Sequence, residues 1–160
     1  MRKSPIKGIG LIEVIIASSI IAIGFVVIMQ AYTIAVKNSF SNLKKIQAAM
    51  LLEEGEEAVR GMRDSSWTNK IKTLSSNTNY YLFFDNIFLS WTSTTTLSYI
   101  DGTYVRSFSL SDVYRDSQNN ISSGGTLDQN AKKVTVSVSW QDNGTTTKSI
   151  STIFTNILNN

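Results

Sequence analysis

The chain has 160 residues, a formal net charge of +3, and neither cysteine nor histidine. Those two absences exclude disulfides, thiolate or imidazole metal sites and any nucleophile–histidine pair. The positive charge is modest and scattered, with no dense basic patch interleaved with aromatics, so no nucleic-acid partner is expected directly.

Residues 1–8 are short and basic, with Arg2, Lys3 and Lys7 ahead of Gly8. From Ile9 the text turns apolar and holds one acid, Glu13; the next charged residue is Lys37, which leaves 23 uncharged residues between them. As a helix that stretch is long enough to cross a hydrocarbon core of ~30 Å. A carboxylate inside it costs about 2.5 to 3.5 kcal/mol at full depth and less near the interface, so Glu13 asks for a partner. A secretory signal peptide cut near Ala22-Ile23-Gly24 would place Glu13 inside its own apolar core, where the charge opposes insertion. A plain anchor would carry the glutamate only by accident.

This pattern of basic leader, terminal glycine, apolar run and early glutamate resembles the N-terminus of type IV pilins and pseudopilins. The resemblance is strong from Lys7 to about Val36. It implies cleavage by a prepilin peptidase between Gly8 and Ile9, with methylation of the new N-terminus at Ile9 and Glu13 as the fifth mature residue. Cutting after Gly10 would make Glu13 the third residue and break the register. Two positions depart from the family pattern: Ile9 stands where phenylalanine is usual, and Gly10 where threonine or serine is frequent. The Leu-Ile-Glu-Val start, with Val14, and a span without a central proline are most like minor pilins of the pilus modification group and minor pseudopilins of type II secretion. The resemblance also sets the orientation, with the N-terminus cytoplasmic and the following domain exported, because basic residues flank both ends of the span.

Beyond Lys37 the helical signal continues to about residue 66. Phe40, Leu43, Ile46, Met50, Leu51, Ala58, Val59 and Met62 recur at three- and four-residue steps, which predicts an apolar stripe laid on a folded domain. Gly55 and Gly61 each weaken this helix by about 1 kcal/mol, marking a bend or a close contact. Glu53, Glu54, Glu56 and Glu57, followed by Arg60 and Arg63, read as a solvated face with helical charge pairs. Within the span, Gln30 can bond a neighbouring helix or sit at the interface, and Ser18 and Ser19 can do the same or bond their own backbone.

From Trp67 onward the period becomes that of strands. Residues 80–84 and 86–91 are rich in aromatic and branched side chains, and 97–100 and 103–110 flank the turn dipeptide Asp101-Gly102. Val134, Val136, Val138 and Trp140 alternate with small hydroxylated residues; Asn143-Gly144 then turns the chain into residues 148–154. Residues 90–98 and 112–132 read as solvated connections. The latter segment is oxygen-rich enough to suggest calcium, but its spacing matches no EF-hand loop, and no metal is expected.

The expected class is therefore α+β: a long N-terminal helix, transmembrane in its first half, packed on a small antiparallel β-sheet. The divisions are leader 1–8, transmembrane helix 9–36, amphipathic helix 37–66 and β domain 67–160. The resemblance implies a minor pilin or pseudopilin that assembles through its helix with other such subunits. The subunit would sit as a single-pass protein in the cytoplasmic membrane, among its lipids, before joining a surface or periplasmic filament. An unprocessed single-span binding or adhesion domain is the alternative. No catalytic residues or cofactor are expected, since without histidine or cysteine an enzyme would need paired carboxylates or a Ser/Lys pair, and no motif places either together.

Overall fold

The structure, a computed structural model, describes residues 10–142 and 144–159. Helix α1 spans Gly10–Ser65. By internal contacts the chain divides into two compact units between Leu43 and Lys44. The first is the apolar part of α1, which carries a stretch of mean hydropathy 2.7 with none of that window buried. By length and composition it is a candidate single-pass membrane anchor.

The second unit holds the rest of α1, the short helix α2 (Trp67–Lys70) and seven strands: β1 Tyr80–Asp85, β2 Ser90–Thr94, β3 Tyr99–Ile100, β4 Tyr104–Arg115, β5 Ile121–Ser122, β6 Thr126–Gln141 and β7 Thr145–Thr155. The main sheet order is β2-β1-β4-β6-β7, with β3 and β5 also paired to β4, and every pairing is antiparallel. The fold is α+β, as expected.

Alternation explains how the sheet is covered. In β4 and β6 the residues Tyr104, Phe108, Leu110, Val134, Val136, Val138 and Trp140 are buried toward α1, while the intervening residues stay partly exposed. Ala58, Val59 and Met62 of α1, with Trp67 and Ile71, complete the main core, and Ala48 packs with Tyr104, Val138 and Trp140 in a second cluster. Gly55 is the closest point of approach: a Cβ there would lie 2.8 Å from Val136 Cγ1 and 3.0 Å from Arg106 Cδ. At Gly61 the same atom would meet open space.

The apolar positions of α1 thus separate into two sets, which corrects the single stripe expected from the sequence. Ala48, Ala58, Val59 and Met62 are buried, whereas Phe40, Leu43, Ile46 and Met50 remain 64, 51, 55 and 63% exposed. Small residues, Ala48, Gly55 and Ala58, form much of the packed face because they let the helix backbone approach the sheet.

Three strand boundaries also differ from expectation. Residues 86–89 form the tip of the β1–β2 hairpin instead of opening a strand, because the Asp85 carboxylate accepts the backbone N–H groups of Ile87 and Phe88 at 2.8 and 3.2 Å and so closes a turn. Ser90–Thr94, expected as a connection, is strand β2. The connection expected over 112–132 shrinks to residues 116–125, which themselves hold the short strand β5, since β4 continues to Arg115 and β6 begins at Thr126. A register irregularity between Asp112 and Tyr114 lets the polar sequence keep pairing. Gly125, at φ +119°, lies so close to the Arg115 carbonyl that a Cβ would be 2.2 Å from its oxygen. Asp101 and Gly102 both take positive φ, the signature of the tight hairpin turn expected there. Gly144 also has positive φ in the β6–β7 turn, whose Asn143 lies outside the described residues.

Candidate functional site

Of the residues to which the sequence assigns function, one, Glu13, falls within the described part of the chain. The leader 1–8, the Gly8–Ile9 junction and the methylation position Ile9 lie outside the described residues. Glu13 is described and occupies the first turn of α1, exposed. Among the described residues Glu13 has no ion-pair partner.

The surface around it is built for an apolar environment. Leu11, Ile12, Val14, Ile15, Ile16, Ile20 and Ile21 are all more than half exposed, and the same holds on to Ile34 for most large side chains. The polar side chains in this stretch are largely satisfied internally: Ser18 and Ser19 both donate to the Ile15 carbonyl at 2.9 and 2.7 Å, and Thr33 donates to that of Met29 at 2.9 Å. Back-bonding of this kind removes hydroxyl groups from the list of interhelical contacts. Gln30 lies in a shallow groove with Phe25, Val26, Met29, Thr33 and Ile34.

No protein family, curated protein or solved structure matches the chain. Geometry and chemistry therefore carry the reading.

What sequence reasoning missed is the second apolar set. Phe40, Leu43, Ile46 and Met50 lie past the first charge after the span, Lys37, yet they stay exposed. The signal was available in the small residues: the helix face that must approach a sheet is the one carrying Ala48, Gly55 and Ala58.

The acidic segment of α1 is spent mostly on structure. Glu56 pairs with Arg60 at 3.2 Å and accepts from the Thr152 hydroxyl at 3.1 Å, and Glu57 pairs with Arg60 at 3.4 Å. Glu54 instead reaches the sheet, 2.8 Å from Arg106, whose side chain is only 5% exposed and lies over the Trp91 ring at 5.2 Å. Arg63 lies over Phe154 at 5.1 Å.

The aspartates of residues 112–132 are similarly committed, each to a different partner. Asp112 accepts from Lys132 at 2.5 Å and from Ser76 at 2.9 Å, and the Lys132 hydrogen bond, then that of Ser76, holds its carboxyl below the usual range. Asp128 accepts from Arg115 at 2.6 Å, a hydrogen bond that lowers its pKa in the same direction. Asp116 closes the turn before β5; the backbone N–H of Asn120, then that of Gln118, lowers its pKa. Among the described residues no three acidic side chains converge on one point.

Proposed function

We infer that this chain is a prepilin-like subunit, a minor pilin or pseudopilin, which assembles through its N-terminal helix into a type IV pilus-like filament. The observation that carries the reading is Glu13: a carboxylate without an intramolecular partner among the described residues, in the first turn of an apolar helix and in register with a leader glycine. On this reading a prepilin peptidase removes residues 1–8, which creates a positive α-amino group at Ile9, the site of methylation. The carboxylate of one subunit then meets the amine of its neighbour. Pairing relieves the cost of placing each charge among apolar helices and fixes the axial register between them.

The exposed row Phe40, Leu43, Ile46 and Met50 supports the same reading. Apolar side chains beyond a membrane span are covered if helices of neighbouring subunits pack along one another past the bilayer edge. Apolar packing supplies cohesion, and the Glu13 pair supplies register. On this reading the subunit waits in the cytoplasmic membrane with its N-terminus inside and its β domain exported.

Co-expression with a prepilin peptidase tests the processing step. Mass spectrometry of the N-terminal peptide should find Ile9 as the first residue, and Gly8→Ala should be cut poorly. A chain that keeps residues 1–8 while a control substrate is cleaved would instead favour an unprocessed, anchored binding domain.

A further inference from the structure

We propose that the tip of the β1–β2 hairpin, Ile87-Phe88-Leu89, dips into the surface of the bilayer that holds the candidate anchor. These three successive residues are 85, 78 and 75% exposed, and Phe83 and Phe84 behind them on β1 are also exposed. Among the described residues beyond α1, no other run of three large apolar side chains stands in solvent in this way. From Asn86 to Ile100 the chain carries no charged residue. A contiguous apolar patch of this kind marks a contact surface.

The turn is built to hold these side chains outward. Its backbone N–H groups at Ile87 and Phe88 are taken by the Asp85 carboxylate at 2.8 and 3.2 Å, so neither donor is left unpaired where water is scarce. Leu89 takes φ +46°, a conformation that favours glycine. Packing within the unit does not account for a bulky residue there, because most of its surface faces solvent. A convex prong of three side chains needs a matching pocket on a protein partner, whereas lipid conforms to it.

Strand register names the occupant by placing the tip at the end of the sheet where the chain enters the unit. Tyr80 pairs with Phe108 and Phe108 with Val136, and from there β1 runs antiparallel to β4, toward the end at which β4 begins and β6 stops. At that same end Lys44, the first residue of the unit, donates to the Gln141 carbonyl at 3.0 Å, and the Tyr104 hydroxyl donates to Gln47 at 2.7 Å. From Lys37, where the uncharged stretch ends, the chain to Lys44 can extend no more than about 25 Å. A tether that short gives the bilayer a far higher effective concentration at the tip than any free partner has. The other two turns at this end carry Asp101 and Asp142, which draw no anionic headgroup, so the contact rests on apolar insertion to a depth of about 5–10 Å. It holds for a filament subunit before assembly and for an unprocessed anchored domain alike.

Because the chain has no cysteine, Asn86→Cys offers a single attachment point beside the tip for an environment-sensitive fluorophore. The labelled full chain is reconstituted in phosphatidylcholine vesicles with and without nitroxide-labelled lipid. The label should emit as in an apolar medium and lose about half of its emission or more to the nitroxide, with no dependence on added phosphatidylglycerol. The same label at Ser117→Cys, in the turn after β4 at the other end of the sheet, should emit as in water and lose little. Adding Phe88→Ser and Leu89→Ser to Asn86→Cys should return its label to water-like emission with the circular dichroism unchanged, since both side chains are exposed. The proposal is overturned if nitroxide lipid leaves the Asn86→Cys label unquenched, or if the two serine substitutions leave the quenching as it was. Apolar emission that ignores the nitroxide but is lost when the chain is diluted among more vesicles would assign the tip to a second copy, and overturns it as well.

Discussion

Replacing Gly55 by alanine is expected to destabilise the unit of residues 44–160, while the same change six residues later should stabilise it. Both substitutions gain about 1 kcal/mol of helix propensity. At Gly61 nothing opposes that gain, because the new methyl group points into open space. At Gly55 it arrives 2.8 Å from Val136 Cγ1 and 3.0 Å from Arg106 Cδ, inside the range where something must move. Neither neighbour yields readily. Val136 is β-branched, buried and paired with Phe108 on one side and Ile150 on the other, and Arg106 is held by Glu54 and Trp91. Overpacking of this kind costs about 1–3 kcal/mol, so the net effect at Gly55 is a loss of about 1 kcal/mol. Urea unfolding of residues 44–160, followed by tryptophan fluorescence, should place the two variants on opposite sides of wild type, separated by about 2 kcal/mol. If Gly55→Ala stabilised as much as Gly61→Ala, the close helix–sheet approach would be wrong.

Residues 44–160 alone should be soluble and show mixed helix and strand by circular dichroism, because the core of that unit is complete without the apolar part of α1; a coil spectrum would contradict the division at Leu43. Glu54→Gln should cost about 1–2 kcal/mol in the same urea assay, less than for a fully buried pair because Glu54 is half exposed, by leaving the Arg106 charge poorly compensated. Asp112, Asp116 and Asp128 have folded pKa values below their unfolded ones, so each contributes stability above about pH 4 that is lost as pH falls through the folded value. Asp112→Asn with Asp128→Asn should therefore lower the melting temperature above about pH 4 and flatten the acid limb, so that the variant's profile approaches that of wild type as pH falls. Millimolar calcium should shift that melting temperature by no more than about 1 °C, since Asp112, Asp116 and Asp128 are each committed to a different partner; a rise of several degrees reversed by chelator would contradict the separate pairing of these aspartates.

The features most legible in the sequence were those written in a single period. The 23 uncharged residues before Lys37 announce the anchor, the valines from Val134 to Val138 announce a half-buried strand, and Asp101-Gly102 announces its turn. Where two periods or two partners compete, the text misleads. Large apolar residues of α1 were the natural candidates for the core, but packing on a sheet favours the small ones, and this turned Ile46 and Met50 outward. The hidden strand content between Asp112 and Lys132 failed for a different reason: cross-strand ion pairs, Lys132 with Asp112 and Arg115 with Asp128, hold a ladder whose polar residues read as loop. Glu13 was legible as an anomaly because burying a charge is expensive, whereas the partner proposed for it belongs to another molecule and cannot be seen within one chain.

The most direct test of the central claim is the incorporation of Glu13→Val beside wild type at equal expression, with shearing of cells and crosslinking through the spans. The substitution removes a charge from an apolar helix, so insertion should be as good or better, processing after Gly8 should persist, and the β domain should be unchanged. The account predicts that the variant stays in the membrane fraction while wild type appears in the sheared filaments, with Glu13→Asp between them because its shorter reach weakens the pair. Entry of Glu13→Val into filaments at the wild-type level would contradict the pairing and leave helix packing or β-domain contacts as the basis of recruitment.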